Sequence, residues 1–257
     1  MRLLALTASL CGAVACAPDS ETTGGGEAEV AVSTPAERGG ARLAVPVPHE
    51  VVPLGPGVHR LDVSVGREAL LYVPPSVDAL APTRLVVSYH GAGGRAADAV
   101  GLLRQEADQR AFVIVAPSSE AATWDVIARG SFGPDVEATQ LALEQAARHV
   151  AVDSASAVVA GFSDGASYAL SLGLSNGDRF AAVLAFSPGF AAPTTRRGYP
   201  RVFISHGTDD RVLPIDRTSR VLAARLRDDL ELTYVEFDGG HEVPQEMRER
   251  ALDSIAW

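Results

Sequence analysis

Five short, almost wholly apolar runs govern what this chain can fold into: Arg84–Tyr89, Phe112–Ala116, Ala157–Gly161, Ala182–Phe186 and Arg201–His206. Such runs, lacking polar alternation, suit strands buried on both faces, as in a parallel sheet. Stretches with helical spacing lie between and after them: Ala96–Arg110, Pro134–Val150, Ala166–Ser175, Asp216–Arg227 and Pro244–Ile255. The first groups Ala99, Leu102, Leu103 and Ala107 on one side; the second groups Val136, Leu141, Leu143 and Ala147. A last strand is expected at Glu231–Phe237. This alternation predicts an α/β domain with a mostly parallel central sheet and helices on both faces. Ahead of it, Val58–Val65 alternates apolar and polar residues, and Arg67–Val73 follows Gly66, which predicts an antiparallel hairpin. No repeat and no long insertion interrupts the series, so one domain without a cap is expected.

The N-terminus reads as an address. Met1 and Arg2 precede the apolar run Leu3–Val14, which is too short for a membrane span of about 20 residues. It suits a signal-peptide core over residues 1–15. Ala13-Val14-Ala15-Cys16 resembles a bacterial lipoprotein box, with Ala13 where Leu is commoner. Cleavage before Cys16 would expose its thiol for lipid attachment and make the membrane contact an anchor. An ordinary secretory peptide cut after a small residue is the alternative. Residues 16–48 then form an expected flexible tether, with Gly24-Gly25-Gly26, scattered acids and no aromatic residue before Tyr72. The folded domain is expected over residues 49–257.

Composition removes several chemistries. All 22 basic residues are Arg, so a lysine Schiff base and a GxxxxGK[ST] phosphate loop are both excluded. Cys11 and Cys16 are the two cysteines, so the body has no thiolate nucleophile and no Cys-ligated zinc. A net charge of -10 disfavours nucleic acid as a partner.

Gly161-Phe162-Ser163-Asp164-Gly165 matches G-x-S-x-G between an expected strand and an expected helix. In that setting Ser163 sits on a tight turn, its hydroxyl exposed and the positive end of the helix aimed at it. A serine hydroxyl needs a positioned base. Of the six histidines, His49 and His59 precede the core strands, and His149 ends a helix on a polar face. His90 and His206 each follow a strand and precede Gly, as turn residues do. His241, in Asp238-Gly239-Gly240-His241-Glu242-Val243-Pro244 after the last strand, has the position of a base in the order Ser, acid, His. The acid is expected in His206-Gly207-Thr208-Asp209-Asp210-Arg211; spacing alone does not separate Asp209 from Asp210. Ser88-Tyr89-His90-Gly91-Ala92-Gly93-Gly94 follows the first parallel strand. Its Ala92 N–H, with that of Asp164, is the expected oxyanion hole. No acidic residue sits where a ribose would need one, so a dinucleotide site is rejected.

These residues together resemble the phospholipase/carboxylesterase family of the α/β-hydrolases. The resemblance spans roughly Val58 to Ile255 and rests on HGAGG at 90–94, GFSDGAS at 161–167, FSPGF at 186–190, HGTDDRVLP at 206–214 and DGGHEVP at 238–244. It implies a lidless esterase or thioesterase with a Ser-Asp-His triad and no cofactor. The family's HGxxDxxVP pattern assigns the acid to Asp210. Asp164 stands where members often carry Gln. A weaker resemblance to secreted polyester depolymerases and feruloyl esterases also exists. Trp124, in the loop after Phe112–Ala116, is a candidate for lining the acyl pocket, with a packed surface Trp as the alternative. Without a cap, small or surface-exposed esters are the expected substrates. A serine peptidase and a non-catalytic binding module are the rival readings.

Overall fold

The computed structural model describes residues 40–47, 50–64 and 67–255. The predicted signal segment, Cys16, most of the predicted tether and His49 lie outside them.

Eight strands form one sheet: β1 (Gly57–Leu61), β2 (Ala69–Val73), β3 (Arg84–Tyr89), β4 (Phe112–Pro117), β5 (Val158–Phe162), β6 (Ala182–Phe186), β7 (Arg201–Gly207) and β8 (Leu232–Phe237). Their spatial order is β1-β2-β4-β3-β5-β6-β7-β8. The hairpin pairs antiparallel from Gly57↔Val73 to Leu61↔Ala69, and β2 continues antiparallel onto β4. All later pairings are parallel. The strands β2 to β7 are almost entirely buried, which is why their sequences carry no polar alternation.

Six α-helices complete the described residues: α1 (Ala96–Arg110), α2 (Asp125–Ala128), α3 (Pro134–Ala146), α4 (Asp164–Ser175), α5 (Ser219–Leu226) and α6 (Gln245–Ser254). Alternate strand residues feed two cores, one on each face. Val86, Ile114, Val158, Leu184 and Phe203 meet α1 and α6 through Leu103, Met247 and Leu252. Val87, Val115, Val159, Val183 and Ile204 meet α3, α4 and α5 through Leu143, Leu172 and Leu222. Pro134 begins α3, where a missing N–H costs nothing. Ala111, with φ 55°, ends α1 as a left-handed cap and turns the chain into β4.

Three expectations need correction. Leu141 is 39% exposed rather than on the apolar face of α3. Five residues at 100° each carry it about 140° from Val136, off the stripe that holds Leu143. Helix α5 starts at Ser219, not Asp216, because Pro214 leads into a short 3₁₀ turn over Ile215–Arg217. The tether also stops short of residue 48. Ala41 and Leu43 are buried, and Arg42 forks onto Asp178 through N–H bonds of 2.8 and 2.9 Å. Leu43 N–H donates to Asn176 Oδ1 at 2.9 Å and Ala44 N–H to Gln140 Oε1 at 2.8 Å. Side-chain amides here satisfy an irregular backbone that composition alone assigns to solvent.

Candidate active site

The turn from β5 into α4 carries Ser163 with φ 59° and ψ -121°. These angles mirror those of the first central residue of a type II turn and belong to glycine's territory. The flanking glycines are there for space. A Cβ on Gly161 would lie 2.2 Å from Gly165 O, and one on Gly165 would lie 2.2 Å from Tyr89 O. Both obstacles are backbone, so neither can yield. Ser163 N–H donates to Phe186 O at 2.9 Å, which ties the turn to the end of β6.

His241 reaches this serine from the loop after β8. Its Nε2 is 2.8 Å from Ser163 Oγ, and its Nδ1 is 2.6 Å from Asp210 Oδ2. A carboxylate only accepts, so Nδ1 carries the proton and Nε2 faces the hydroxyl as an acceptor. Asp210 is buried, and its Oδ1 accepts the N–H groups of Val212 and Leu213, both at 2.8 Å. Burial pushes its carboxyl up, but the Leu213 amide and His241, with the Val212 amide, outweigh that and hold it below the usual carboxylate value. Asp209 is exposed, and its N–H is spent on Gly239 O at 2.9 Å, so of the two candidates only Asp210 meets the base. The two loops approach through Gly207, where a Cβ would lie 2.2 Å from Gly240 O.

Gly91 lies against the serine; a Cβ there would be 3.4 Å from Ser163 Cβ. Gly93 N–H and Gly94 N–H are engaged, by Ala122 O at 2.6 Å and Gly91 O at 3.1 Å. Among the described residues the Ala92 N–H, just before them, has no acceptor. Asp164 is the first residue of α4, so its N–H has no intrahelical partner either. The two N–H groups expected to form the oxyanion hole, on the residues next to Gly91 and Ser163, are thus both without a partner among the described residues.

His90 holds this loop. Its Nε2 accepts Ser119 N–H at 3.1 Å, so Nδ1 bears the proton and donates to Gly91 O at 2.8 Å. Burial holds its pKa below the usual imidazole value. Trp124 does not line a pocket: it is fully buried. Its indole N–H donates to His90 O at 2.9 Å, and the ring stacks on Tyr168 at 4.7 Å and meets Tyr89 edge-on at 5.0 Å. An indole carried inward needs such an acceptor. Trp124 therefore braces the loop that starts at His90.

Two further features escaped the sequence reading. Both His90 and His206, expected as turn residues, are buried and hydrogen-bonded. And α4 carries a serine ladder at four-residue spacing. Ser167, Ser171 and Ser175 each donate to the carbonyl four residues back. Their oxygens accept the N–H groups of Gly189, Ala192 and Thr194, at 2.9, 2.9 and 3.2 Å. The ladder lays the chain after β6 along the helix that begins next to Ser163. The repeat Ser163, Ser167, Ser171, Ser175 is visible in the sequence.

The sequence profile of the family described as Phospholipase/Carboxylesterase matches residues 135–257, the C-terminal part that holds Ser163, Asp210 and His241. Curated proteins offer no sequence match. Solved structures do resemble the chain. Esterase PE8 is 21% identical with a TM-score of 0.51, over 79% of this chain and 97% of its own. A phospholipase/carboxylesterase from Dyadobacter fermentans DSM 18053 is 21% identical with a TM-score of 0.53, over 74% and 96%. An S-formylglutathione hydrolase from Agrobacterium tumefaciens is 17% identical with a TM-score of 0.59, over 77% and 94%. The chain has the α/β-hydrolase fold. Ser163 sits on its strand–turn–helix after β5, and Asp210 and His241 lie in the loops after β7 and β8.

Proposed function

We propose that this α/β-hydrolase is a serine hydrolase that cleaves carboxylic esters through an acyl-enzyme on Ser163. The unbroken line of hydrogen bonds from Ser163 through His241 to Asp210 carries the reading. His241 Nε2 takes the Ser163 proton as the oxygen attacks the ester carbonyl, and Asp210 steadies the imidazolium that forms. The Ala92 and Asp164 N–H groups receive the oxyanion. The imidazolium then protonates the leaving alcohol, and water, activated by the same Nε2, releases the acid. The same attack serves a thioester, and the reaction needs no cofactor. No inserted subdomain stands between the described strands, which favours small or protruding esters.

Hydrolysis of p-nitrophenyl esters of rising acyl length, by the protein and by its Ser163→Ala variant, tests the proposal. Turnover that depends on Ser163 is expected. Folded protein inert on every ester refutes it; cleavage of peptide amides in that case points to a peptidase, and no cleavage at all to a binding module.

For residues 1–48 the proposal is export with lipid attachment at Cys16, supported by the Ala13-Val14-Ala15-Cys16 sequence. Fatty-acid labelling in a bacterial host should vanish in a Cys16→Ser variant; unchanged labelling would exclude that site.

A further inference from the structure

The carboxylate of Asp210 has a second imidazole on it. His206, at the end of β7, is completely buried. Its Nε2 lies 3.0 Å from Asp210 Oδ2 and 2.8 Å from Leu213 O. Both neighbours are acceptors, so Nε2 carries the proton. On the far side Nδ1 is 2.7 Å from Ser219 Oγ, and Ser219 is itself fully buried at the start of α5. The hydroxyl donates to Nδ1 and so fixes the Nε2–H tautomer.

Asp210 Oδ2 therefore accepts from His241 at 2.6 Å and has His206 Nε2 3.0 Å away, the one proton of that nitrogen pointing at Leu213 O, while Oδ1 accepts from two amides. Those three donors and the His206 contact fix the rotation of the carboxylate. They also divide its charge: what His206 draws off is withheld from His241. The charged and titratable groups facing His206 are Asp210 and His241 from the two catalytic loops, and Glu236 from β8. Glu236 is already committed to Arg220, with contacts of 2.9 and 2.6 Å, and to Tyr234 at 2.9 Å. Burial is the largest influence on His206 and holds its pKa below the ordinary imidazole value, which disfavours a second cation beside the His241 imidazolium.

We propose that His206 is a positioning residue for the catalytic acid: its neutral Nε2–H, held in place by Ser219, shares Asp210 Oδ2 with His241, aligns the carboxylate and tempers its grip on the imidazolium. The inference rests on the esterase reading of Ser163. It differs from mere core filling in its consequence. Removing the donor frees negative charge for His241, so the imidazolium gains stability and the base becomes available only at higher pH.

The test compares kcat/KM against pH for the wild type, His206→Leu and His206→Gln on p-nitrophenyl acetate. Leu offers no donor, whereas Gln returns an N–H with similar reach. The Leu variant should lose about ten- to a hundredfold in kcat, from one charge-assisted hydrogen bond and a loosened acid, with KM within about twofold. Its acid limb should move up by several tenths of a pH unit, and the Gln variant should restore the wild-type limb. An acid limb that stays in place in the Leu variant, or that moves equally in both, overturns the proposal. Should the Leu variant not fold, ¹⁵N spectra of histidine-labelled wild type decide. His206 is expected to keep a protonated Nε2 and a bare Nδ1 from pH 5 to 9; the opposite tautomer, or titration in that range, overturns it. A wild type without Ser163-dependent turnover would refute the esterase reading instead, and the spectra would still judge His206.

Discussion

Ser163 stores strain, and a pair of variants can measure it. With φ 59° and ψ -121°, the residue holds a conformation that costs a non-glycine side chain about 1–3 kcal/mol. Ser163→Ala keeps that strain and loses the hydroxyl bond to His241. Ser163→Gly loses the same bond but adopts these angles freely. Their difference cancels the hydrogen bond and leaves strain relief, less about 0.4–1 kcal/mol for the more flexible unfolded glycine chain. The glycine variant should therefore exceed the alanine variant in stability by about 1.3 kcal/mol at the middle of these ranges, and by about 2.6 kcal/mol at most. For a chain of this size the middle value is roughly 2–6 °C in Tm. Scanning calorimetry or urea unfolding of the two inactive variants, side by side, reads it. A glycine variant equal to or less stable than the alanine variant would refute the claim that the nucleophile turn is strained.

The remaining predictions concern the acid, the pH response and the serine ladder. Asp210→Asn should lower kcat by about 10³–10⁴, since the base loses its tautomer and its counter-charge, whereas Asp209→Asn should stay within about twofold; steady-state kinetics on one ester separates them. The buried His90 and His206 lie below the ordinary imidazole value of 6.5, chiefly through burial, so below that pH the unfolded chain binds more protons than the folded one. Stability should thus fall as pH drops from about 7 to 5, and less steeply in a His90→Gln variant; a Tm that is flat or rising toward pH 5 contradicts this. Asp125, raised by burial and by Asp135, acts in the opposite sense. Ser171→Ala should cost about 1 kcal/mol and speed amide exchange at Ala192, while Gly189, held by Ser167, stays protected.

The strands were legible because burial on both faces leaves an unmistakable apolar run. β3 and β6 have the expected bounds, β4, β7 and β8 differ by one residue at one end, and β5 is shifted by one residue. The order Ser163, Asp210, His241 was legible for a different reason: each residue ends up in a loop just past a strand, where the fold gathers its chemistry. Spacing could not choose between Asp209 and Asp210, because only three-dimensional packing tells which carboxylate turns inward. His90 and His206 were misread because a histidine before glycine at a strand end looks the same whether it faces water or core. Trp124 was misread for a related reason: its indole N–H finds its acceptor in His90 O, 34 positions away in sequence. The packed stretch at 41–44 was hidden by a polar, glycine-rich context, since its partners Gln140, Asn176 and Asp178 are about a hundred residues or more distant.

The most direct test of the account is covalent labelling. The protein should take up one fluorophosphonate group per chain, located on Ser163 by peptide mass spectrometry, and Ser163→Ala should take up none. A folded protein that stays unlabelled, or that carries the label on another residue, would contradict the account at its centre.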